Sequence, residues 1–305
     1  MMSSKAVSAT PIWRRLTLAE IWRRIRTGQL GAGWMLLAAL FFALMSMFVK
    51  LGASSYGSVE LLFWRTLIGA VCLGSVMVWR GQSPLTPLWL GHLKRSFIGY
   101  LSMSALFYAL TRLPLSTAVT LNYTSSLFFA LICVVKLKDH LTRPVLLALL
   151  SGFAGIVLLL HPTFSSDQWL AGLVGLGSGL CAGFAVFQVR ELGKMGEPSW
   201  KVVFWFFTIA SVFGFVWLML GPGFSPLTRD TLWPLLGVGI CGMLGQLFMT
   251  RAYKDGRKYL VASFAYLTVV FSVLLGMLLW GDALSVSGML AMLLIVGSGI
   301  LAAVR

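Results

Sequence analysis

Apolar residues gather along this chain into ten blocks of 15 to 22 residues, separated by short polar links. The blocks run over Gly31–Lys50, Val59–Trp79, Phe97–Thr111, Leu115–Val135, Val145–Leu160, Leu170–Val189, Val202–Leu220, Trp233–Met249, Tyr259–Trp280 and Leu284–Val304. A helix rises about 1.5 Å per residue, so about 20 residues cover the roughly 30 Å hydrocarbon core of a bilayer, and the shorter blocks sit at the lower limit. Strands of a membrane barrel would alternate polar and apolar over about ten residues. These blocks do not, so the pattern predicts an all-α integral membrane protein with ten transmembrane helices. Pro114, Pro144, Pro162, Pro198, Pro222, Pro226 and Pro234 fall at or between block ends, where a residue without an N–H does least harm. No proline is expected inside a span.

Composition agrees: 58% of residues are hydrophobic, 11% are charged and mean hydropathy is +0.89, more apolar surface than a soluble domain of this size can hide. The net charge of +15 does not point to nucleic acid, because the basic residues lie between apolar blocks instead of covering one soluble face. Their placement reports topology. With a cytoplasmic N-terminus, 20 Lys and Arg fall on the inside and three outside, Lys50, Arg112 and Arg229, with Arg65 inside a span. That bias predicts cytoplasmic N- and C-termini. Residues 1–30 form a basic tail with Trp13, Trp22 and five arginines from Arg14 to Arg26 spread all around a helical wheel. A tail lying on anionic lipid fits this pattern, and a regulatory or partner-binding role is the other reading. The block behind the tail is long enough to span and carries no cleavage-site pattern, so the tail is not read as a signal peptide.

A 143-residue offset aligns two stretches: Ala252 with Ala109, Tyr266 with Tyr123, Phe271 with Phe128, Asp282 with Asp139 and Leu284 with Leu141. The chain reads as a duplication, with a first five-helix repeat over 31–161 and a second over 169–304. Five spans is an odd number, so the second copy enters the membrane inverted. Charge follows the inversion: the link before the fourth span carries Arg112 alone, whereas its counterpart before the ninth carries Arg251, Lys254, Asp255, Arg257 and Lys258. Inverted repeats are the architecture of alternating access around a central site.

The run TRAYKDGRKYLVASFAYLTVVFSVLLGMLLWGD, the earlier FYALTRLPLSTAVTLNYTSSLFFAL and the FWR of the second span resemble the EamA-type transporters of the drug/metabolite transporter (DMT) superfamily, with amino-acid exporters of the YddG-like kind among them. The resemblance covers almost all of the chain after its tail. It implies ten helices with cytoplasmic termini, a cavity lined by spans one to four and six to nine, and peripheral spans five and ten. Two departures stand out: aspartate at Asp139 and Asp282 where the family usually has glutamate, and Ser126 where it often has proline. The first keeps a charge and a helix-end role; the second puts a kink there in doubt.

Ionisable residues inside a span are functional candidates because they are costly to bury. Arg65 either attracts a substrate carboxylate or is satisfied by carbonyls while its stem snorkels outward. Glu60, near the outer interface, reads as solvated. In the fourth span Asn122, Ser125 and Ser126 share a face, available to a substrate or to a neighbouring helix, while Tyr123 turns away by about 100°. Ser263 and Tyr266 are their counterparts, and two repeat-related tyrosines could frame a flat or apolar substrate. Trp64, Tyr108, Trp205, Gln188 and Gln246 complete the substrate-binding candidates. The glycines Gly175, Gly179 and Gly183, like Gly237, Gly239, Gly242 and Gly245, predict close helix packing.

Catalytic motifs are missing. His92, His140 and His161 lie at span ends, no HExxH or P-loop is present, and Cys72, Cys133, Cys181 and Cys241 sit singly in apolar blocks. The sequence therefore reads as neither an enzyme nor an ATP-driven pump, with no cofactor, metal or catalytic residues. The expected function is a secondary transporter of small organic metabolites in a bacterial cytoplasmic (inner) membrane, a monomer or weak homodimer that by the resemblance exports apolar or aromatic amino acids. Uptake or exchange of a nucleotide-type metabolite such as S-adenosylmethionine, and a non-transporting scaffold or receptor, are the alternatives.

Overall fold

A computed structural model describes residues 31–113, 115–138, 140–161, 168–221, 223–281 and 285–303. The helices are α1 Gly33–Gly52, α2 Ser58–Trp79, α3 Trp89–Arg112, α4 Leu115–Tyr123, α5 Ser125–Leu137, α6 Arg143–Leu160, α7 Trp169–Lys194, α8 Ser199–Leu220, α9 Arg229–Asp255, α10 Lys258–Ala265, α11 Leu267–Trp280 and α12 Val286–Ala303. Among the described residues, eight helical runs are long and apolar enough to cross a membrane, two of them formed by α4 with α5 and by α10 with α11. The other two helices are α3, 24 residues with Lys94 and Arg95 in its first half, and the apolar α12 of 18 residues.

Several helices outrun their apolar blocks. A helix must satisfy its own backbone through the hydrocarbon layer and loses little by continuing past it, so α3 begins at Trp89 instead of Phe97, and α7 runs on to Lys194. Helix α9 begins at Arg229, which puts Pro234 inside a helix, against the expectation. So near the helix start the proline sacrifices one backbone bond.

The fourth and ninth spans are interrupted. At Thr124 the backbone N–H turns to Leu121 O (3.3 Å), three residues back, and the Thr124 hydroxyl takes the same carbonyl. At Tyr266 the N–H likewise turns to Ser263 O (3.3 Å). The break doubted for want of a proline at Ser126 is therefore made without one. Under the 143-residue offset Tyr266 falls on Tyr123, one residue from Thr124. The ends of these spans match too: Lys138 (φ 51°) and Gly281 (φ 68°), also 143 apart, both close their helices in the left-handed region. Asp139 and Asp282, and the basic tail, lie outside the described residues.

Helix pairs also come in matched sets. Helix α9 packs along α1 as α3 packs along α7, α11 lies on α1 as α5 lies on α7, and α2 meets α8 while α6 meets α12. Small residues set the distances. An added Cβ on Gly179 would lie 2.6 Å from Leu121 O, and one on Gly183 would lie 2.9 Å from Phe129 N, so the stripe on α7 carries α4 and α5 at backbone contact. Large apolar side chains such as Leu93, Phe97 and Leu101 on α3 point outward, as lipid-facing residues should.

Candidate functional site

The buried face of α3 is polar. His92, Arg95, Ser96, Gly99 and Ser102 recur at helical spacing and are all buried, the reverse of a soluble amphipathic helix. Arg95 is 4% exposed and its guanidinium lies 3.8 Å from the centre of the Phe206 ring. Its Nη1 extends along its own helix to Gly99, 2.5 Å from where a Cβ would stand. On α2, Arg65 is 6% exposed and passes Gly242 of α9, with Nε 2.9 Å from a Cβ built there. It donates from Nη2 to Gln246 Oε1 at 3.4 Å. Gly99 and Gly242 are themselves 143 residues apart, and each leaves room for a buried guanidinium. Both border one apolar cluster: Arg95 lies on Phe206, which packs in one cluster with Met243, the neighbour of the Gly242 that Arg65 passes. Among the described residues neither makes an ion pair, and Arg65 Nε, Arg95 Nε and Arg95 Nη1 are buried without hydrogen-bond partners.

Above this pair, towards the end of the bundle where α2 begins and α3 finishes, lies a cavity of about 210 Å³ lined by Ser58, Val59, Leu62, Tyr100, Ser104, Tyr108 and Trp217. Leu62 is about one helical turn from Arg65. Tyr100, stacked on Phe213 with ring centres 5.0 Å apart, forms its deep wall.

The two ends of the bundle are fastened by different contacts. At the end rich in lysine and arginine, Arg190 of α7 donates to Tyr253 O (2.9 Å) and Gly256 O (3.1 Å), and Lys254 donates to Glu197 O (2.8 Å). Glu197 accepts a bond from Thr86 and lies 3.6 Å from His92 Nε2 and 3.9 Å from Lys201 Nζ. Trp205 Nε1 donates to Pro84 O (3.1 Å) and Lys201 to Leu85 O (2.9 Å), tying down the link between α2 and α3. At the opposite end two groups of bonds are described. Tyr56 donates to Thr231 Oγ1 (2.6 Å), and Glu60 accepts from the Ser225 N–H (3.0 Å) and hydroxyl (2.7 Å). Separately, Gln168 donates to Arg112 O (3.2 Å). Packing shows the same asymmetry: α9 meets α7 and α8, and α10 meets α5 and α6, whereas their repeat equivalents, α3 with α1 and α2, and α4 with α11 and α12, at most graze.

The residues singled out from the sequence scatter over this frame. Arg65 and Gln246 come together, and Tyr108 lines the cavity. Trp64 packs edge-on to Phe63 and Phe224 with Nε1 3.5 Å from Glu60 Oε1, and Glu60, expected in solvent, is buried. Tyr123 and Tyr266 do meet, ring centres 6.4 Å apart and T-shaped, but Tyr266 is fully buried in a cluster with Ile156, Val269, Val270 and Ile295. Asn122 donates to Ser178 Oγ (3.2 Å), the Ser125 carbonyl faces Gly183, and Ser263 bonds back to Tyr259 O (3.1 Å). Trp205 belongs to the basic end, and Gln188 on α7 has a buried carbonyl oxygen without a partner. Arg95 is the residue sequence reasoning missed. Next to Lys94 and ahead of the apolar block it counted as a link charge, although its spacing from His92, Ser96 and Gly99 marks one helix face.

A broken-helix bundle of this kind is matched along two stretches, 29–161 and 169–304, by the model of the EamA-like transporter family. The chain belongs to the EamA-like transporter family. This EamA-like protein is 29% identical over 255 residues to the pseudopaline exporter of Pseudomonas aeruginosa, covering 83% of this chain and 89% of that one. It is 26% identical over 247 residues to the riboflavin transporter of Brucella anthropi, covering 80% and 87%. Its fold matches a solved crystal structure with a TM-score of 0.78 at 21% identity, over 90% of this chain and 98% of the other. The exporter and the riboflavin transporter are transporters, not enzymes, and the EamA-like chain shares their class: a multi-pass membrane protein that moves a small molecule. Among its described residues no three His, Cys, Asp or Glu side chains gather in the manner of a metal site.

Proposed function

We propose that the protein exports small amino-acid-type metabolites across a bacterial cytoplasmic membrane by alternating access. In this reading ten spans form two inverted repeats, 31–161 and 169–304, with the 1–30 tail and both termini in the cytoplasm. The unequal packing of matched helix pairs carries the proposal. The positive-inside rule assigns the basic, tied end to the cytoplasm, so the cavity above Arg65 opens outward. The opposite state needs no new kind of contact: α3 and α4 close onto α1, α2, α11 and α12, while α9 and α10 withdraw from α5, α6, α7 and α8. Matched helix pairs, matched breaks and matched left-handed caps support two arrangements of similar energy, as alternating access requires.

Roles follow from position. Tyr108 contacts the substrate from the wall of the cavity, Arg65 and Gln246 meet it about one helical turn further in, and Trp64, packed on Phe63 and Phe224, supports that end of α2. Gln188 and Trp205 meet the substrate when the basic end opens. Asn122, Tyr123, Ser125, Ser263 and Tyr266 act at the two breaks, where the half-spans pivot and their polar groups come into reach. The exporter relative supports outward movement. The riboflavin-transporter relative favours a second reading, uptake of a flat heteroaromatic metabolite against the aromatic wall of Tyr100, Tyr108 and Trp217. Purified full-length protein in liposomes, assayed for counterflow of labelled amino acids and of riboflavin, separates these. Saturable amino-acid counterflow supports export of that class; riboflavin counterflow with no amino-acid flux moves the reading to the second.

A further inference from the structure

Resting on that transport reading, we infer that Arg65 and Arg95 together form the recognition site for a substrate carrying two negative groups, a small organic dicarboxylate. A buried charge is tolerated when it is paired or fully hydrogen-bonded, and removing the pairing is strongly unfavourable. Here two like charges border the same apolar cluster, both more than nine-tenths buried, and three of their nitrogens lack partners. Among the described residues no carboxylate supplies the missing charge. Among the described residues the buried carboxylates are Glu60 and Glu197, and both are committed to end tethers, with Ser225 and with His92, Thr86 and Lys201.

The arrangement is built, not incidental. Arg65 descends α2 toward Gln246 while Arg95 ascends α3 past Gly99, so the two guanidiniums approach from opposite ends of the bundle. Each passes a glycine at the same repeat position, where a side chain would collide with it. A guanidinium presents a planar fork suited to carboxylate, and two forks suit two carboxylates. The Phe206 ring under Arg95 holds that fork by cation–π attraction while leaving its edge free to donate. No described carboxylate at this level awaits an ammonium group, so net negative charge distinguishes the substrate.

The test uses full-length protein in two formats: counterflow in liposomes and thermal unfolding in detergent. The probes are succinate, glutamate, inorganic phosphate and leucine. Succinate or glutamate is expected to drive counterflow and raise the unfolding temperature, and leucine to do neither. R65Q and R95Q weaken the apparent dicarboxylate affinity about tenfold or more, the size of a lost charge-assisted hydrogen bond. R95K, keeping charge without the fork, recovers part of the loss, which a purely structural arginine would not show. Should R65Q fail to fold, R95Q and competition against the unaltered protein still decide. Leucine counterflow that neither dicarboxylate inhibits overturns the inference and leaves transport standing. Inhibition by phosphate but by neither dicarboxylate overturns it in favour of a phosphate-type anion. A dicarboxylate-dependent thermal shift that R95Q abolishes, without flux of any solute, upholds the site and refutes transport. The absence of any dicarboxylate effect in both formats overturns the inference.

Discussion

Gly179 shows how a single hydrogen atom in place of a methyl group sets the architecture. A Cβ there would lie 2.3 Å from Thr124 Oγ1 and 2.6 Å from Leu121 O, and the carbonyl cannot move without shifting the break that Thr124 makes in the fourth span. Gly179→Val is therefore expected to lower stability by about 1–3 kcal/mol, the usual range for overpacking, read as a lower unfolding temperature in detergent. Gly99→Ala differs, because what its Cβ meets first is the flexible end of Arg95, with the edge of the Phe206 ring next at 3.1 Å. It is expected to change unfolding little while displacing the guanidinium, and so to weaken dicarboxylate affinity severalfold in counterflow. The stripe that holds Gly179 was legible from its spacing in the sequence, whereas Gly99 belonged to no stripe. One faces the backbone of a neighbouring helix and the other a charged side chain of its own helix, and only the folded structure decides which.

At the scale of the element, the two interrupted spans and the tether at the basic end divide the work. Arg190 holds α7 to the carbonyls of Tyr253 and Gly256 at the end of α9. Charge-assisted bonds to a part-buried acceptor contribute about 1.5–3 kcal/mol each at most, so Arg190→Met is expected to shift the balance between the two states toward a loosened basic end. A cysteine placed at Gly193, packed on Lys254, should then react several times faster with a thiol reagent supplied from the cytoplasmic side. Unchanged labelling would show that the tether does not hold that end shut. Helix α3 shows why element boundaries escaped the sequence pattern. Its first half is charged and its buried face polar, so hydropathy ended the span at Phe97, whereas the backbone continues to Trp89 because hydrogen bonds, not hydropathy, propagate a helix.

For the whole molecule, the asymmetry between its ends predicts paired effects. Cysteines at Gly193 and Lys254, cross-linked by a short reagent, should abolish counterflow by holding the basic end closed, and reduction should restore it. A cysteine at Ser58, on the cavity rim, should react with an impermeant thiol reagent from outside, and substrate at saturating concentration should slow that reaction by favouring the closed arrangement. Equal reactivity from both sides, or flux that survives the cross-link, would rule out alternating access of this kind.

Hydropathy, the distribution of Lys and Arg and the 143-residue offset were enough to establish a helical membrane protein and to pair Tyr123 with Tyr266, because bilayer thickness and helix rise constrain every span in the same way. What converges on what was a different matter. Tyr123 and Tyr266 meet edge to face with Tyr266 fully buried, Glu60 is a fastener, and Arg95 is a buried charge from a stretch that read as a link. Those outcomes depend on which faces of non-adjacent helices meet and how deep each lies. A one-dimensional pattern carries the period of a helix but not its rotation against a neighbour, and burial of charge is a property of that rotation.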